Sequence, residues 1–271
     1  MTIRFRNRMT LIFFIIAVFC LMLGTFFTLF QYFSGGIVIP QVYSKGLSQT
    51  LLFRYFPVCV YAGIFMLMIY TCVTTLIIYH SFEKTQAPDI IFFLLFLLAC
   101  LCDTSRLLVP AFKLSGTFSL FLVKIGNIHL FARLLAPLAL MGNTVLSTED
   151  FRQNTDRNCI VLIIVSLFFA EMIPLNTAVI LPNYCISYGY EKAIRIFSFF
   201  TCIVSALSLF RTNQKNGYKQ IMTLGFILLC LGFTVIFYCY NIFTLITGTL
   251  LLGGGSYLYL NEVHKHYLWV D

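Results

Sequence analysis

Residues 89–111 read DIIFFLLFLLACLCDTSRLLVPA, and this stretch decides the fold. It is long enough to cross a bilayer, which takes about 20 mostly apolar residues. After Asp89 only Asp103 and Arg106 carry charge. The pattern recurs on both sides. Apolar runs precede it at about 9–33 and 56–80 and follow it at about 118–146, 159–181, 191–211, 218–239 and 241–262. Eight such runs predict an all-α polytopic membrane bundle of eight transmembrane helices, with 1–271 as a single integral membrane domain.

Composition agrees. The chain is 60% hydrophobic and 10% charged, against about 45–50% and ~25% in soluble domains. Its mean hydropathy is +0.91. These values exclude a soluble enzyme, a disordered chain and a nucleic-acid-binding domain, despite a net charge of +8. The ten cysteines fall mostly inside apolar runs, where they serve as small hydrophobes. Cys59, Cys185 and Cys239 are expected near one face, where a bridge among them is open.

Prolines and caps fit the division. Pro57 belongs in the first turn of helix 2, where a missing N–H costs nothing. Asp89 is placed to cap helix 3. Arg4, Arg6 and Arg8 precede a first run too long for a signal peptide, with no Ala-x-Ala site after it, so an uncleaved first helix is expected. Between Ser34 and Tyr55, the spacing of Leu47, Leu51, Leu52 and Tyr55 suits either a short interfacial helix or an irregular loop.

Lysine and arginine in short loops set orientation. With the N-terminus inside, one side holds ten of them: Arg4, Arg6, Arg8, Lys84, Arg152, Arg157, Arg211, Lys215, Lys219 and Lys265. The other side holds four: Lys45, Arg54, Lys113 and Lys192. This predicts both termini in the cytoplasm, in the cell (inner) membrane. The lipid bilayer is then one partner. The short loops hold no output domain, so a membrane or cytoplasmic protein partner is expected as well. Seven- or eight-helix bundles with an inward basic bias also occur in bacterial sensory membrane modules. That resemblance is one of layout and transfers no residue.

Polar residues within the runs mark the candidate sites, because a charge near the bilayer centre usually faces the bundle interior and a partner. Arg133, Glu171 and His129 form the first group. Equal depth in helices 4 and 5 predicts an Arg133–Glu171 pair near the midplane, beside backbone freed by Pro137 and Pro174. Asp103, Arg106, Lys124 and Asn127 form a second group nearer the external face, where Asp103 can pair with Arg106 or Lys124. Gly225, Gly232, Gly248 and Gly255 are the third feature. About a turn centred near Tyr240, Gly232 is expected to face Gly248 and Gly225 to face Gly255.

No zinc-protease, hydrolase-elbow or phosphate-loop motif occurs, and no cofactor or metal is predicted. The tail segment His264-Lys265-His266 is read as solvated. The leading expectation is a receptor-like or scaffold component acting through a membrane partner. The alternative is a small transporter or permease with a midplane polar site. An intramembrane enzyme stands last.

Overall fold

In a computed structural model of the chain the apolar runs become helices. The structure describes residues 3–33, 54–83, 87–112, 114, 119–145, 155–215 and 220–268. The helices are α1 (Ile3–Phe33), α2 (Pro57–Ser81), α3 (Asp89–Ala111, tightened to a 3-10 turn at Thr104–Leu107) and α4 (Leu120–Val145). They continue with α5 (Thr155–Met172), α6 (Glu191–Lys215), α7 (Ile221–Phe237) and α8 (Ile242–Leu268). Between α5 and α6 lies an antiparallel hairpin of β1 (Leu175–Ile180) and β2 (Ile186–Tyr188). Six helices, α1, α2, α3, α4, α6 and α8, are long and apolar enough to cross a membrane, which makes this a multi-pass membrane protein.

Two expectations about element ends are corrected. The run at 159–181 is not one helix. α5 stops at Met172, just before Pro174, and the following Leu175-Asn176-Thr177-Ala178-Val179-Ile180 is extended. Proline ends the helix rather than kinking it, and β-branched Thr177, Val179 and Ile180 suit a strand. Asp89 is the first residue of α3, not its cap. Its carboxylate accepts from the Tyr267 hydroxyl at 3.2 Å and still complements the helix N-terminus. Pro57 opens α2 as expected. The possible interfacial helix before Tyr55 lies largely outside the described residues.

Contacts between helix ends fix the alternation of the bundle. At one end Arg6 donates to the Phe82 carbonyl, and Asn7 donates to that of Glu83 at 2.9 Å. The His264 ring meets Phe82 edge-on at 5.2 Å. Both helical termini, Ile3 and Leu268, thus belong to one end. At the other end Gln31 donates to the Pro110 carbonyl, and the Phe56 N–H to that of Tyr240 at 3.0 Å. The Tyr55 hydroxyl donates to the Pro182 carbonyl at 3.1 Å, which ties the hairpin to that same end.

α3 and α4 form the centre, with 67% and 72% of their spanning windows buried, against 17% for α1 and 22% for α6. Phe92, Phe93 and Phe96 of α3 are fully enclosed by Leu135 and Ala139 of α4, Phe233 of α7 and Tyr259 of α8. The Phe93 and Tyr259 rings stack at 5.9 Å, and Phe96 meets Phe233 edge-on at 5.5 Å. The outward faces carry exposed Phe19, Met22, Phe26, Phe168, Phe199 and Phe200. Such surface is stable only against lipid.

The glycines bring α7 and α8 together, in a register one helical turn from that expected. A Cβ on Gly225 would sit 2.8 Å from the Tyr259 nitrogen, and one on Gly255 would sit 2.5 Å from that of Leu229. Gly232 lies against the Leu252 backbone and Gly248 against Ile236. All four contacts are symmetric about Ile242 rather than Tyr240. Gly225 and Gly255 still touch, but Gly232 and Gly248 face larger residues. The shift follows from the cap of α8. Asn241 accepts from the Thr244 N–H at 2.8 Å, so the second helix starts only after it. Gly253 and Gly254 face open space.

Candidate functional site: a buried charge cluster beneath the hairpin

Apolar packing delivers α3 to the centre of the bundle, and the 3-10 turn then sets Asp103 and Arg106 side by side. Asp103 Oδ2 lies 3.2 Å from Arg106 Nη2, with both side chains 1% exposed. Asp103 Oδ1 lies 3.0 Å from Nδ1 of His129, which α4 carries into the same space. These are ion-pair contacts whose angles fall short of aligned hydrogen bonds. Arg106 Nη1 also donates to the Phe237 carbonyl at 3.1 Å, and Asn183 of the hairpin donates to it at 3.3 Å. That carbonyl ends α7, where helices leave acceptors unsatisfied and favour positive charge.

The Phe237 ring packs against His129 and Arg133 of the cluster. The His129 ring stacks on it at 5.2 Å, and the Arg133 guanidinium lies 3.8 Å from its centroid. Arg133 Nη2 donates to the Tyr238 hydroxyl at 2.6 Å. Cys185 Sγ lies 4.0 Å from His129 Nδ1, so the hairpin closes the cluster from above. In that hairpin burial pushes the phenols of Tyr184 and Tyr188 up from their ordinary pKa, and both remain neutral.

The two candidate groups exchange members. Arg133 and Glu171 do not pair. Glu171 is held by Lys124 at 3.2 Å and by Asn127 Nδ2 at 2.7 Å, with Lys124 67% and Glu171 47% exposed. His129 joins Asp103 and Arg106 instead. The reason is depth. α5 ends at Met172, so Glu171 is at a helix end rather than in mid-span. α4 passes beneath the hairpin, where Gly126 admits Leu175 and Ile186. Arg133 consequently sits level with Tyr238, just past the end of α7, and 5.0 Å from its ring.

Sequence reasoning missed Phe237, Tyr238, Asn183 and Cys185 as participants. Nothing distinguishes Phe237 among 30 phenylalanines. Cys59, Cys185 and Cys239 are all free thiols. Cys239 donates to the Cys59 carbonyl at 3.3 Å, while Cys185 faces His129. Among the described residues no group of three or more His, Cys, Asp or Glu could hold a metal ion.

Fold and site together define an integral membrane bundle with an enclosed ion cluster at the end remote from its termini. Compared with protein-family models, curated proteins and solved structures, the chain matches none.

Proposed function

We propose that the chain crosses the cell (inner) membrane eight times, with both termini cytoplasmic, and works as a receptor-like or scaffold component through a partner protein. The loop-charge bias supports the orientation. The shared end of Arg6, Phe82 and His264 supports an even number of crossings. α5 and α7 complete the count. At 1.5 Å per residue the 17 residues of α7 reach about 26 Å, and aromatic residues at its end continue it.

One observation carries the functional reading. The ion cluster is enclosed and ties α3, α4, α7 and the hairpin into one unit, while packed phenylalanines fill the bundle below it. A unit of that kind transmits or holds position, whereas a permease needs polar groups along a path. The permease alternative rested on a joint Arg133–Glu171 site, and these residues serve different partners.

The test is extraction of the full chain at native abundance in mild detergent, followed by size and mass analysis. A stoichiometric protein partner is the expected result. A chain that migrates alone and moves a solute across proteoliposomes contradicts the reading and favours the permease.

A further inference from the structure

α6 packs loosely on α7. Between them runs a groove of about 480 Å³ that opens sideways to the bilayer. Its polar end holds Arg133, Arg195 and Tyr238, and its body is lined by Ile203, Ala206, Leu207 and Leu231. We propose that this groove binds one acyl chain of an anionic phospholipid, with the headgroup phosphate at Arg133 and Arg195.

The charge argument comes first. Arg133 is 9% exposed and lines the groove, and its Nε has no hydrogen-bond partner. Among the described residues its contacts are the Tyr238 hydroxyl and the rings of Phe237 and Tyr238, with no carboxylate in ion-pair contact. Asp103 attracts it electrostatically, but that carboxylate is already in contact with Arg106 and His129, so a further anion beside this largely buried guanidinium is favourable. Arg195 lies 5.9 Å from the same Tyr238 ring and extends the positive end. Glu191, at 2.7 Å from Arg195, neutralises that residue alone, so the groove mouth keeps a positive charge. Phosphate is a natural complement for a guanidinium fork.

Shape then selects the occupant. From Arg195 to Leu207 the groove follows α6 for about 18 Å at 1.5 Å per residue. Its apolar body with a single polar end matches one extended acyl chain that carries an anionic headgroup. The groove rims are exposed Phe199, Leu207, Ile227 and Leu231, so the occupant enters from the bilayer. The site is independent of the proposed protein partner and holds with or without one.

The test uses the full chain in nanodiscs of phosphatidylglycerol mixed with phosphatidylcholine, followed by release into detergent and native mass spectrometry. One retained phosphatidylglycerol per chain is expected, in preference to phosphatidylcholine. Arg133→Gln should lower that retention about tenfold, the scale of one charge-assisted contact. Ala206→Trp should remove it by filling the groove. Inorganic phosphate should not displace the lipid. If Arg133→Gln fails to fold, Arg195→Gln at the exposed rim serves as the charge test. Retention without headgroup preference, retention unchanged in both the charge and the filling variants, or displacement by phosphate alone overturns the proposal.

Discussion

Phe237 serves the buried charges twice. Its carbonyl accepts from Arg106 and Asn183, and its ring lies against His129 and Arg133. Asp103 is the carboxylate that Arg106 and His129 share. Asp103→Ala should therefore destabilise the protein by about 3–5 kcal/mol, the usual result of stranding buried charge. Thermal unfolding in detergent measures it. Asp103→Ala combined with Arg106→Ala should cost less than the sum of the two, because the double variant strands less. Arg133→Ala and Glu171→Ala should instead add to within ~0.5 kcal/mol, since the two residues share no partner. A strong coupling between them would contradict the structure. Lys124→Ala is expected to cost no more than about 1 kcal/mol, as its pair is largely exposed. The Asp103–Arg106 contact was one of two pairings the sequence left open for Asp103, since residues three apart share a helix face but Lys124 stood at similar depth. The third member, His129, was not legible, because its place depends on how far α4 extends beneath the hairpin.

Among the elements, α7 and α8 make the closest approach, and its basis is backbone lying where a side chain would otherwise stand. Gly225→Leu and Gly255→Leu each drive a Cβ to within 2.8 Å or less of backbone atoms of the other helix. Each should lower the unfolding midpoint markedly, since helices cannot part locally without losing their packing. Gly254→Ala is the opposite case. It faces open space in mid-helix, and alanine there should stabilise by about 0.5–1 kcal/mol. Equal effects at 254 and 255 would refute this packing. The glycine spacing revealed which helices pair, but the register depended on the Asn241 cap and came out one turn away. The hairpin was the larger loss. An apolar run such as 159–181 does not declare where helix yields to strand. Pro174 marked the place, yet proline in a membrane helix has two readings, a kink or an end.

At the scale of the whole molecule, eight alternating helices place the ion cluster and the hairpin at one end and both helical termini at the other. Membrane character was legible from composition, since no soluble arrangement covers this much apolar surface. The two short helices, α5 and α7, decide the count of crossings. α5 carries Asp156, Arg157 and Glu171, and α7 is only 17 residues long. The central proposal, eight crossings with the hairpin on the external side, is tested most directly by sided reporters fused after Asn158, Ser187, Lys215 and Asn241. The account predicts cytoplasm, outside, cytoplasm and outside in that order. Asn158 and Ser187 reporting the same side, or Lys215 and Asn241 doing so, would contradict it.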